Sequence, residues 1–312
     1  MLLAVAMLVM LAGRPGTALA DDAIFLNWAD LLPSLTDAYD PNSANDCVAG
    51  RPHCVDATIK EMKRRFAKLG KACNHNSMFA LAYLRTTQTY KWARNQPGYF
   101  QDTPWVNHED AVFAKYYFNA YDGWAAGNRS KAPKAWLIAF DAAAARKLTG
   151  SGDLLLGMNA HVNRDLPFAL AAIGIVTPDG KTRKPDHDKV DQFLNAVVQP
   201  LLFEAALRLD PTVNSIVTPY GVGYTGLFQL LAAWREDAWR NAELLVDAPT
   251  AAERAKVAKT IESSAAKEAT TLAATNSYVP PVTTTVVRDA YCAVHNADPP
   301  PMIYPFGTAT PY

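Results

Sequence analysis

Two histidine–aspartate pairs at a spacing of four frame the chemistry this chain could do. They are His161 with Asp165 in "GMNAHVNRDLPFAL" and His187 with Asp191 in "KPDHDKVDQF". On a helix, residues four apart share one face, one turn from each other. An imidazole and a carboxylate so placed can pair as ions, share a proton or ligate one metal. His108, in "NHEDAVF", supplies a third imidazole. Three histidines and two carboxylates from three helices would suit zinc or a similar divalent ion. Such an ion lowers the pKa of bound water and delivers hydroxide at neutral pH. The predicted metal ligands are therefore His161, Asp165, His187, Asp191 and His108, with Asp191 either a ligand or the group that orients one. His161, Asp165 and Arg164 form the predicted catalytic set; Arg164 either balances Asp165 or Glu204 or holds an anionic substrate oxygen.

Each residue also has a plainer reading. His161 and Asp165 can form a buried polar network that only fixes helix packing. Asp186 and Asp188 look like helix-start residues, which makes His187 part of a cap. His108 also falls at a helix start, where it can be exposed. Tyr116, Tyr117, Tyr121 and Trp124 read first as packing, and can also wall a pocket around an apolar or aromatic ligand. Two functions therefore compete: a metal-dependent hydrolase, and a non-enzymatic helical protein binding a small apolar ligand or a protein partner. His53, His75 and His295 lie beside cysteines or in loops and receive no role. The sequence carries no G-x-S-x-G, phosphate loop or dinucleotide fingerprint.

The elements that must position these residues read as helices. In "VDATIKEMKRRFAKLG", Val55, Ile59, Met62, Phe66 and Leu69 recur at spacings of three and four, with a basic outer face. "NSMFALAYLRTTQTY" is apolar nearly all round and should be buried. "NHEDAVFAKYYFNAYDGW" starts a helix with Asn107 as N-cap and Glu109 and Asp110 in its first turn. Further helices are predicted at 133–148, 152–174, 187–209, 224–247 and 250–274. Pro167 should break or kink the 152–174 helix beside His161, because it lacks an N–H and crowds the carbonyl four residues back. In "WREDAWRNAELL", Trp234, Ala238 and Leu245 share a buried face, and Glu236 pairs with Arg240. No stretch alternates with period two, and there is no internal repeat. The expectation is one all-α, bundle-like domain over 21–312, its Pro-rich residues 277–312 extended across the helices.

Composition sets outer bounds. Half of the 312 residues are hydrophobic, 19% are charged and the formal net charge is zero. No field or basic stripe favours nucleic acid. "MLLAVAMLVMLAGRPGTALA" reads as a secretory leader, residues 1–20, cleaved after Ala20, although no basic residue precedes its apolar run. No later segment is long and apolar enough to span a membrane. Cys47, Cys54, Cys73 and Cys292 fit two disulfides in an exported protein. A helix over 55–70 would separate Cys54 from Cys73 by about 25 Å, whereas bridged Cα atoms lie within about 7 Å. Cys47–Cys54 with Cys73–Cys292 is the preferred pairing; Cys47–Cys73 with Cys54–Cys292 stays open.

"LLLGMNAHVNRDLPFAL" resembles the histidine–aspartate helix of zinc-dependent phospholipase C and the P1 nuclease family, which are exported and all-helical. That resemblance implies a zinc site on His161, Asp165, His187 and Asp191, with His108 as an upstream ligand, and a phosphoester substrate. The chain departs from the pattern at Ala171, where a histidine is expected, and at Asp21-Asp22, where those enzymes place an N-terminal tryptophan ligand. Over nearly its whole length the chain resembles an uncharacterised family of exported bacterial proteins. The stretches that carry this likeness are "NHEDAVFAKYYFNAYDGW", "GDLLLGMNAHVNRDLPFAL", "RKPDHDKVDQFLN" and "WREDAWRNAELL". It implies no activity.

Overall fold

A computed structural model describes residues 37–216 and 222–312; the leader expected at 1–20 lies outside them. Among the described residues there is no β-strand, only three isolated bridges, and the architecture is all-α. The first helix, α1 (Pro52–Lys71), buries Val55, Ile59, Met62, Phe66 and Leu69, as their spacing predicts. Its outer face is not wholly basic, because Arg65 turns inward and donates to Glu61 (2.6 Å) and to Asp122 (2.7 Å). The apolar α2 (Ser77–Arg94) is buried on most of its surface. Next come α3 (Thr103–Ala125) and α4 (Lys134–Ala144).

Asn107 is not the cap of α3. Asp102 takes that place and accepts from the Trp105 N–H, with proline in the first turn. Asn107 lies inside the helix, where its amide donates to the Gly50 carbonyl (2.7 Å) and its oxygen accepts from the Tyr90 hydroxyl (2.6 Å). This shift of the helix start moves Glu109 and Asp110 out of the first turn.

The central helix is built in three parts: α5 (Gly150–Met158), a π-helical segment (Asn159–Asp165) and α6 (Leu166–Ile173). The break or kink expected at Pro167 takes the form of this widened turn, which interrupts the α-helix. In a π turn the backbone bonds span five residues, and the Leu166 N–H donates to the His161 carbonyl. The added residue separates the proline ring from the carbonyl it would strike, and Pro167 sits in the first turn of α6, where a missing N–H matters least. α3, α4, α8 (Val222–Asp247) and α9 (Ala251–Thr275) all pack on the π segment, which places it at the centre of the bundle. α7 (Lys184–Arg208), which starts three residues before the predicted 187, packs against α2. Trp234, Ala238 and Leu245 of α8 are buried, and Arg240 donates to Glu236 (3.0 Å).

The C-terminal segment is not extended throughout. Thr284 caps an eleven-residue helix, α10 (Thr285–His295), by accepting from the Val287 N–H. The preferred disulfide pairing holds, with Cα separations of 4.9 Å for Cys47–Cys54 and 5.8 Å for Cys73–Cys292. Two buried arginines clamp the final residues. Arg85 donates to the Thr310 carbonyl (2.8 Å) and Arg208 to the Pro311 carbonyl (2.8 Å). Between them lies buried Glu204, paired with both guanidiniums and the Tyr304 hydroxyl, which is why it does not serve as the partner of Arg164.

Gly157, one turn before His161, shows how tightly the centre is packed: a Cβ there would stand 2.5 Å from Phe79 ring carbons. Gly157→Ala should therefore displace Phe79 and destabilise by about 1–3 kcal/mol, despite alanine's better helix propensity. Denaturant unfolding checks this; an unchanged or raised midpoint would show that the ring moves freely.

Candidate functional site

Asp165 is the focus of the polar cluster at the π segment. Its Oδ2 accepts from Trp136 Nε1 (2.7 Å) and His161 Nδ1 (3.2 Å), and its Oδ1 accepts from Arg164 Nη1 (2.9 Å). Arg164 also pairs with Glu262 on α9, at 2.6 Å. The carboxylate is thus both neutralised and fully hydrogen-bonded, which a buried charge requires. The His161 ring stacks on Phe113 with centroids 3.4 Å apart and planes 6° from parallel, and meets the Tyr83 ring edge-on at 4.5 Å. Burial lowers the His161 pKa below the ordinary histidine value, partly offset by the bond to Asp165. The neutral ring donates through Nδ1, because only there does it meet an acceptor. Its Nε2 is left as a buried acceptor with no partner.

The other predicted ligands stand in separate settings. His187 is buried rather than part of an exposed cap. Its Nε2 donates to the Arg235 carbonyl (3.1 Å), and Arg235 Nη2 faces its Nδ1 at 3.3 Å. Burial, then the Arg235 charge, holds its pKa well below the ordinary value. Asp191 is an ion-pair partner of the same arginine, at 2.7 Å. His108 is fully buried too, not exposed, with Nδ1 and Nε2 each 2.7 Å from a backbone carbonyl, those of Cys47 and Asp37. The rings of His187 and His108 are therefore engaged away from His161. Among the described residues no three His, Cys, Asp or Glu side chains gather closely enough to hold a metal ion. The arrangement does not fit one divalent ion shared by all five predicted residues.

A different site emerges beside His161. A cavity of ≈ 140 Å³ lies between α2, α3, the central helix, α7 and α8, walled by such residues as Phe79, Phe113, Val197 and Leu201. Of the polar residues that also line it, five have a solvent-shielded atom without a hydrogen-bond partner: Tyr83 Oη, Thr87 Oγ1, Glu109 Oε2, Asp110 Oδ2 and His161 Nε2. Desolvation raises the pKa of Glu109 to about 7 against the pull of Arg235, and that of Asp110 to about 8 against the pull of Arg94. Sequence reasoning placed these two acids in a first helical turn. Their inward position follows from the earlier start of α3, signalled by "DTPW", an aspartate before a proline at the helix start. The buried pair of His75 with Asp153 (2.9 Å) also escaped it, because the partners lie 78 residues apart and no local spacing links them.

A family model described as a family of unknown function (DUF5995) matches residues 55–275. No curated protein and no solved structure gives a match.

The two cavity acids set a pH dependence. Their folded pKa values lie above the ordinary 4.5 and 3.8, so the folded state binds more protons and loses stability as pH rises between the ordinary and the raised values. Glu109→Gln and Asp110→Asn should each flatten that fall, over pH 4.5 to about 7 for the first and 3.8 to about 8 for the second. Denaturant unfolding across that range, compared with the parent, measures the difference; curves that stay parallel would refute the assignment.

Proposed function

The chain belongs to the family of unknown function DUF5995, and because that family brings no activity with it, we propose from the site that this protein binds a small apolar molecule between its helices. The observation that carries the reading is the clustering of five unpartnered buried polar atoms on the wall of one apolar cavity. Buried polar groups are as a rule hydrogen-bonded, and those that are not call for a ligand or water to explain them. Ligand sites combine an apolar lining with a few polar groups of this kind. A cavity of about 150 Å³ accommodates benzene, so the ligand's body is on the scale of one ring. The four bridged cysteines and the leader read in the sequence support an exported protein. Among the described residues no helix is long and apolar enough to cross a membrane.

The metal-dependent phosphoester hydrolase, with its likeness to phospholipase C and the P1 nucleases, is less well supported. Asp165 is already matched by Arg164, and the imidazoles of His108 and His187 are turned to other partners. In this reading His161 acts as an acceptor in the cavity wall, and Arg164 ties the central helix to α9.

Toluene serves as the first probe. It should raise the melting temperature in a saturable manner, and Val197→Phe, which fills the cavity, should abolish the shift while leaving the helical circular dichroism intact. Elemental analysis of protein purified with excess zinc should give no stoichiometric ion. Zinc at one per chain that disappears in His161→Ala would favour the hydrolase instead.

A further inference from the structure

The polar wall of the cavity is one-sided. His161 Nε2 accepts hydrogen bonds, Glu109 Oε2 and Asp110 Oδ2 accept once the two acids are ionised, and the hydroxyls of Tyr83 and Thr87 can do so. The cation of the wall, Arg235, is already committed: its Nε donates to Asp191, and its Nη2 donates to the His187 carbonyl (2.6 Å). Glu109 Oε2 and Asp110 Oδ2 have no hydrogen-bond partner and feel Arg235 and Arg94 only as nearby charges. An anionic ligand would meet two acids there, whereas a neutral hydrocarbon would leave the acceptors unpartnered.

Resting on the ligand-binding reading above, we propose that the physiological ligand is a small organic cation, an apolar body of about one ring carrying a protonated amine that donates to Glu109 or Asp110. Aromatic faces favour such a guest as well, since Phe79, Tyr83, Tyr90 and Phe113 line the same space and attract cations through their π-electrons. Glu109 and His161 are 6% and 3% exposed, so an ammonium bonded to them is removed from water, and charge-assisted bonds gain strength there.

Binding is coupled to the ionisation of the two acids. Glu109 faces Arg235 on α8 and Asp186 on α7; Asp110 faces Arg94 on α2 and its neighbour Glu109. Arg94 is held by the Pro52 carbonyl and Asn107 Oδ1, and Asp186 by the Gln101 and Asp102 N–H groups. His161 is kept neutral by burial, and the hydroxyls of Tyr83 and Tyr90 are held protonated. The charge that changes near neutrality is therefore that of Glu109 and Asp110. A cation binds best once they have lost their protons, so affinity rises with pH.

Calorimetric titration with benzylamine, toluene and benzoate, which share one ring, tests the proposal. Just above pH 8, benzylamine should bind at least about tenfold more tightly than toluene, the effect of one charge-assisted hydrogen bond, and benzoate should not bind. The preference should shrink below pH 7. The double variant Glu109→Gln, Asp110→Asn should erase it at every pH while toluene still binds. Toluene binding as tightly as benzylamine above pH 8 would overturn the amine assignment and leave the apolar site standing. So would a preference for benzylamine that survives in the double variant. If none of the three binds the parent protein, the ligand-binding reading itself falls.

Discussion

Asp165 is the constraint around which this bundle is organised. Its carboxylate is buried, so every oxygen lone pair it cannot satisfy would destabilise the core. Donors come from three directions: the Trp136 indole on α4, the His161 ring one turn back, and the adjacent Arg164. Through Arg164 the charge reaches Glu262, and so α9. One acid thereby fixes the mutual placement of α4, the central helix and α9. The π segment is what makes the geometry work, since it carries both His161 and Asp165 and ends where Leu166 begins α6, one residue before Pro167. The resulting orientation of His161 has it donating with one nitrogen to the acid and presenting the other to the cavity.

Much of the fold was legible in the residues. The three-and-four spacing of Val55, Ile59, Met62, Phe66 and Leu69 marked the buried face of α1, and the length of that helix excluded a Cys54–Cys73 bridge, leaving two pairings of which the preferred one is found. His161 and Asp165 do meet, because a spacing of four lies within one helix and needs no tertiary knowledge. Where partners came from distant segments, local spacing was silent. Nothing near His187 indicates that Arg235, 48 residues on, will occupy both its ring nitrogens. Nor does the sequence around Glu204 announce the two arginines that enclose it. A single displaced helix start had the largest effect: reading the cap at Asn107 instead of Asp102 put Glu109 and Asp110 in the first turn, when they are cavity wall. The interruption beside Pro167 was legible, but its form, a π segment, was not.

The energetic character of the cavity follows from these placements. Hydrocarbon walls favour an apolar guest, while the two acids destabilise the folded state as long as they stay uncompensated. Stability and recognition therefore pull in opposite directions at Glu109 and Asp110. The tension is of the kind expected where a site is built for a partner that completes it.

The bond between Cys73 and Cys292 joins positions 219 residues apart. Every cavity-wall residue, from Phe79 to Arg235, lies inside the ring it closes. A peptide bond cut once anywhere within that ring, for example by a protease at the turn around Gly180, releases no fragment: both new ends stay tethered through sulfur. The cavity is in effect part of a circular molecule that must be cut twice before it can lose a piece.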